Sequence, residues 1–187
     1  AVDVNPYSPI GIDEHTAAFL EVLALHCLLQ ESPDLLDQEQ EQIERNQAEV
    51  VNRGRAPNAL IIDATGEHAI EDWSRAQVTE MQPLADLLDA TYSTDMYSAA
   101  LTVMLKRIDE VDETLSAQVI ADTLENGGTW SFGSFMAQQH ATTYEQHKLS
   151  PDTLSYFDDL AGQSLQQQQQ LEQDTSLSFE QYLADYR

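Results

Sequence analysis

Residues 94–111, TDMYSAALTVMLKRIDEV, place apolar side chains at Tyr97, Ala100, Leu101, Met104, Leu105, Ile108 and Val111. Spacings of three and four put all seven on one stripe of a helix, and such a stripe faces a core. Thr94 or Asp95 stands before it as N-cap. The same periodicity recurs on either side of this segment, whereas strict apolar–polar alternation is nearly absent. The chain therefore reads as mainly α, with at most two short strands, at about residues 1–4 and 59–63.

Working upstream, residues 74–92 are helical in pattern, and Pro83 is predicted to kink or break the first helix there. Residues 17–29 are apolar except for Glu21 and His26, with Asp13 available as N-cap. Apolar character on nearly every side predicts burial of that helix. Residues 39–53 form a polar helix closed by Gly54. Ala59-Leu60-Ile61-Ile62 is then a short extended run between Pro57-Asn58 and Gly66. Downstream, a short helix over 116–125 stops at Gly127-Gly128. Another starts at Ser131 and turns Phe132, Phe135 and Met136 inward. Ser150-Pro151-Asp152 is a helix start, with a cap, a proline in the first turn and an acid at the positive dipole end. That helix carries Leu154, Phe157, Ala161 and Leu165 on one face and continues through Gln166–Gln170. Ser178 and Gln181 form a capping box ahead of a last stripe, Phe179, Tyr182, Leu183 and Tyr186. No repeat divides the chain, so residues 1–187 read as one helical region.

Composition excludes several classes of function. The 187 residues hold 33 acidic and 8 basic side chains, a formal charge of −25. Such a surface repels a polyanion, so nucleic acid is not an expected partner. The acids are scattered over helix faces, which is the pattern of a solvated surface. No apolar run reaches 18 residues, so a membrane-spanning helix is not expected either. One cysteine, Cys27, rules out an internal disulfide framework and suits a reducing cytoplasm.

Self-contained chemistry is hard to find. Gly127-Gly128 follows a helix and lacks the lysine of a phosphate loop. Gly128-Thr129-Trp130-Ser131-Phe132-Gly133 has the wrong spacing for a nucleophile elbow. His15, His26, His68, His140 and His147 show no zinc-ligand spacing, with each other or with Cys27. His26 and Cys27 read as core residues of an apolar helix. Asp109/Asp112 and Asp158/Asp159 read as exposed helix acids. No catalytic or metal-binding residue is expected in the chain itself.

The first fifteen residues, AVDVNPYSPIGIDEH, add something that composition does not. Val2-Asp3-Val4 reads as the end of a strand, and Asn5-Pro6 and Ser8-Pro9 read as turns. The pattern Asp3-x-Asn5-Pro6-x-Ser8-Pro9-x-Gly11-x-Asp13-Glu14 resembles bacterial glutamate–cysteine ligases, at the segment that crosses from their catalytic sheet into C-terminal helices. Phe19-Leu20, Cys27 and Asn46-x-x-x-Val50-x-x-x-Gly54-Arg55-x-Pro57 match the same family. So do Leu115-Ser116-Ala117, Gly127-Gly128-Thr129 and the glutamine-rich helix with Phe179 and Leu183. The resemblance spans the chain and is thinnest between Gly66 and Thr114.

It implies an ATP- and magnesium-dependent ligase that activates the γ-carboxylate of glutamate as an acyl phosphate, which the cysteine amine then attacks. It also implies that the catalytic sheet, with the metal ligands and most substrate contacts, lies upstream of Ala1 in the same polypeptide. The 187-residue chain would then be inactive alone. Asp3, Asn5, Ser8 and Arg55 are the expected residues lining the substrate or nucleotide site. Asn-Pro turn chemistry is the other reading of Asp3 and Asn5, and Ser8 suits a turn equally. For Arg55 the other reading is a helix C-terminal charge or an internal salt bridge. A free-standing acidic helical module, docking a partner through the 179–186 stripe or the glutamine helix, is the alternative to the ligase.

Overall fold

A computed structural model describes residues 4–32, 34–173 and 178–186. Helices α1 (Glu14–Leu29) and α2 (Asp37–Arg53) lead into a hairpin, β1 (Leu60–Asp63) and β2 (Gly66–Ala69). Helices α3 (Ile70–Glu80), α4 (Gln82–Tyr92), α5 (Met96–Asp109), α6 (Leu115–Glu125), α7 (Thr129–Gln146), α8 (Pro151–Gln173) and α9 (Phe179–Asp185) follow. Residues 1–140 and 141–187 are two compact units.

The core of the first unit is made by α1, α3, α4 and α5. Ala18 and Val22 meet Val78, Met81, Ala85, Tyr97, Ala100 and Leu101, with Met104, Leu105 and Ile108 packed against them. The stripe of residues 97–108 is thus the inward face of α5. Alanines at 18, 85 and 100 let the helices approach closely, and burial of Leu101 and Val22 contributes about 1.5–3 kcal/mol each. Tyr97 is buried without an orphaned hydroxyl, because its Oη donates to Glu21 Oε2 at 2.9 Å. Pro83 sits in the first turn of α4 just after the break at Met81, where its missing N–H costs nothing. The start of α5 is capped across the turn by Asp89, whose carboxylate accepts from Tyr97 N at 3.0 Å and Ser98 N at 2.9 Å.

The β1–β2 hairpin pairs antiparallel, Leu60 with Ala69 and Ile62 with Glu67. Asp63 shapes its tip: Oδ1 accepts from the Thr65 backbone N–H and hydroxyl, both at 2.7 Å. Gly66 follows with φ +133°, a conformation closed to side chains. Expectation and structure differ here, since the second strand is residues 66–69. Of the strand expected at 1–4, residues 1–3 lie outside the described residues and Val4 is not in a strand. The sequence Gly-Glu-His-Ala has no apolar alternation, so β2 exists through pairing with β1 and not through its own pattern.

Three packing expectations are also corrected. Helix α1 buries only Ala18 and Val22, and Leu28 and Leu29 are largely exposed. Cys27 on the same end is exposed and not a core residue, and His26 is half-buried beside Gln30. Phe132 of α7 is buried as expected, whereas Phe135 is exposed. In each case the periodicity gave the helix, but nothing among the described residues covers that part of its face.

In the second unit, Ser150 caps α8 by accepting from Thr153 N at 3.1 Å. No described residue of α8 is buried, and Leu154, Phe157 and Leu165 are exposed. Helix α9 has the expected capping box, with Ser178 Oγ accepting from Gln181 N and Gln181 Oε1 from Ser178 N.

Candidate functional site

Residues 5–11 close into a loop through three backbone bonds: Ser8 N to Asn5 O, Gly11 N to Ser8 O, and Asn5 N to Gly11 O at 2.8 Å. Asn5 is buried at its centre, with 7 % of its surface exposed. Its Oδ1 accepts from Tyr7 N at 3.0 Å, and its Nδ2 donates to Asp13 Oδ2 at 2.8 Å. The other oxygen of Asp13 accepts from Thr16 N at 2.7 Å and caps α1. One carboxylate therefore fastens both the loop and the helix start. Burial alone would raise the Asp13 pKa, but the bonds from Thr16 and Asn5 outweigh it and hold the carboxyl below its ordinary range, with Arg107 adding to the pull. Ser8 is half-buried and its Oγ donates to Ile12 O at 2.6 Å. Gly11 has φ +79°, so the loop closes at a left-handed position that favours glycine.

Three residues distant in sequence, Asp122, Phe132 and His140, hold the loop from outside. Tyr7 Oη donates to Asp122 Oδ2 on α6 at 2.5 Å, and the Tyr7 ring meets Phe132 edge-on at 6.1 Å between centroids. Burial and the Asp122 carboxylate push the Tyr7 pKa up to about 12. His140 Nε2 lies 2.7 Å from Pro6 O, and because a carbonyl only accepts, that nitrogen carries the proton. Neither Tyr7 nor Asp122 stood out in the sequence. Tyr7 and Asp122 are 115 positions apart, and no local pattern joins them.

Arg55 is exposed just past the end of α2 and lines a pocket of about 180 Å³ with Gly54, Pro57, Glu71 and Arg107. Gly54 is needed there for space, since a Cβ would lie 2.5 Å from Val50 O, while its φ of −55° is ordinary. Asn46, from the same motif, bonds the backbone of Ile62 in β1. An apolar groove of about 620 Å³ runs beside that contact, walled by Ile43, Val50, Ile61 and Trp73.

Of the four expected site residues, the structure brings Asn5 and Ser8 together in one loop. Arg55 sits apart from them, at the end of α2, and Asp3 lies outside the described residues. Arg107, on the wall with Arg55, lies at the edge of the α5 stripe and belongs to none of the sequence motifs. Among the described residues no group of three or more His, Cys, Asp or Glu side chains is placed to hold a metal ion.

The profile of the glutamate–cysteine ligase family matches residues 1–50. A glutamate–cysteine ligase of Saccharophagus degradans is 32% identical over 187 residues, covering 99% of this chain and 35% of its own length. That of Shewanella halifaxensis is 34% identical, with 100% and 36% covered. The chain is similar over its whole length to glutamate–cysteine ligases. It spans about a third of the length of the curated relatives it matches. The fold agrees: a glutamate–cysteine ligase of Francisella tularensis, solved in complex with AMP, superposes with a TM-score of 0.82 at 22% identity. That alignment covers 98% of this chain and 36% of the Francisella ligase chain.

Proposed function

We propose that this chain is the C-terminal helical part of a cytoplasmic glutamate–cysteine ligase that forms γ-glutamylcysteine from glutamate and cysteine, the first step of glutathione synthesis. The whole-length match to ligases supports this most directly. In the intact enzyme, ATP with magnesium supplies the phosphoryl group that activates the glutamate γ-carboxylate for the cysteine amine. The upstream part of the same polypeptide holds the metal and most substrate contacts.

Asp3, Asn5, Ser8 and Arg55 line the substrate or nucleotide site in this reading, in two different ways. Asn5 and Ser8 act through the loop they build, since their side chains are bonded to Tyr7, Asp13 and Ile12. Asp3 and Arg55 act through charge.

The test uses the longer polypeptide that carries this chain. Asp3→Ala is expected to lower kcat/KM about 30- to 1,000-fold, the cost of one well-placed interaction of about 2–4 kcal/mol, with the melting temperature held. Asn5→Ala is expected to lower both quantities. Near-normal kcat/KM in a destabilised Asn5→Ala enzyme removes Asn5 from the site, and unchanged kcat/KM in Asp3→Ala does the same for Asp3. Given glutamate, cysteine, ATP and magnesium, the 187-residue chain alone is expected to make no product. Magnesium-dependent product from it refutes the division of labour.

A further inference from the structure

Among the described arginines and lysines of residues 1–140, Arg45, Arg53, Arg75 and Lys106 each have a carboxylate within 4.0 Å. Arg55 and Arg107 have none. In a chain with 33 acids and 8 cations, a guanidinium is expected to find a carboxylate easily. Both exceptions line the same pocket of about 180 Å³. The single carboxylate on its wall, Glu71, is already bonded to Arg75 Nη2 at 2.8 Å. Arg107 is half-buried; it acts on the Asp13 carboxylate through space, and it makes a weak contact to Met104 Sδ at 3.8 Å. Ile108, Val111 and Pro57 form apolar wall around the two charges, which strengthens whatever anion enters.

We propose that this pocket binds a phosphate group between Arg55 and Arg107. Two permanently charged forks suit a compact dianion with several equivalent oxygens, and a pocket of about 180 Å³ has room for one. Ser74 lines the same wall. The proposal rests on the reading of Arg55 given above, and a titration without turnover separates its failure from failure of the ligase assignment.

The 187-residue chain is titrated calorimetrically with inorganic phosphate at constant ionic strength set by sodium chloride, and its melting is followed in parallel. Methyl phosphate and acetate are the comparison arms. Saturable phosphate binding is expected, with a rise in melting temperature that acetate does not reproduce. Arg55→Ala and Arg107→Ala are each expected to weaken binding about tenfold, the usual order for a lost charge-assisted bond. Arg53→Ala, which removes a cation already paired with Glu49, is expected to bind as the parent does. Tighter binding of methyl phosphate assigns the group to a phosphomonoester, and equal or weaker binding assigns it to free phosphate. Should Arg107→Ala fail to fold, exposed Arg55 carries the test, with Arg55→Lys keeping the charge but not the fork. Absence of saturable phosphate binding, equal binding of acetate, or undiminished binding by Arg55→Ala overturns the proposal.

Discussion

The Asn46 side chain takes both backbone polar groups of Ile62, accepting from its N–H at 2.9 Å and donating to its C=O at 2.6 Å. Ile62 turns these groups away from β2, so Asn46 stands in for the neighbouring strand that the edge of β1 lacks. A helix side chain thus finishes a two-stranded sheet, which alone is marginal in water.

Replacing Asn46 with alanine leaves both Ile62 groups without their protein partner. The contact is half-buried, so water recovers part of the loss and the cost is about 1–2 kcal/mol. For a chain of this size that lowers the melting temperature by about 2–8 °C. Hydrogen exchange at the Ile62 amide is expected to accelerate by at least the same free energy. Unchanged exchange in Asn46→Ala contradicts the strand-substitute role.

Gly54→Ala pits two effects against each other. The φ of −55° suits alanine, and reduced unfolded-state entropy would stabilise by about 0.4–1 kcal/mol. A Cβ 2.5 Å from Val50 O forces the backbone to shift, at about 1–3 kcal/mol. The clash wins, and denaturant melts are expected to show net destabilisation. A more stable Gly54→Ala chain would mean that the end of α2 relaxes freely.

Tyr7 gives a pH signature. Its pKa rises from about 10 to about 12 on folding, so the folded state holds the phenol proton more tightly than the unfolded state. Its stabilising contribution is complete below pH 10 and is lost as pH climbs from about 10 to about 12. Tyr7→Phe is expected to cost about 1.5–3 kcal/mol at neutral pH, the range for a bond to a charged acceptor. The difference between parent and variant should shrink over that alkaline window. A constant difference across pH 9–12 argues against the Tyr7–Asp122 bond.

Asp63 gives the opposite sign. The Thr65 hydroxyl and backbone bonds, aided by His68, lower its carboxyl pKa to about 2, so its support for the hairpin tip is present above about pH 4 and fades as pH falls through 2. The Thr65 amide resonance is expected to titrate with a midpoint near 2, and Thr65→Ala to move the Asp63 midpoint upward. A midpoint near 4 in the parent chain would show that the tip is not formed in solution.

The amino-acid order was enough to place most helices, because their signals are local. The 97–108 stripe, the Pro83 break, the Asp13 cap and the Ser178–Gln181 box each depend on residues within a few positions of one another. The motifs that pointed to the ligase family, around Asn5 and from Asn46 to Pro57, are equally compact and were legible before any coordinates.

Tertiary structure alone decided what those residues do. The amide of Asn5 looked equally suited to a site or a turn, and only the fold showed it bonded to Asp13 and Tyr7. Strand β2 exists because β1 lies beside it. The exposure of Cys27, Leu28 and the α8 stripe depends on which surfaces come together, and periodicity says only that a face is apolar, not what covers it. The Tyr7–Asp122 bond and the shared pocket of Arg55 and Arg107 join residues tens of positions apart. Contacts of that range leave no local pattern, because only chain folding sets the distance between their ends.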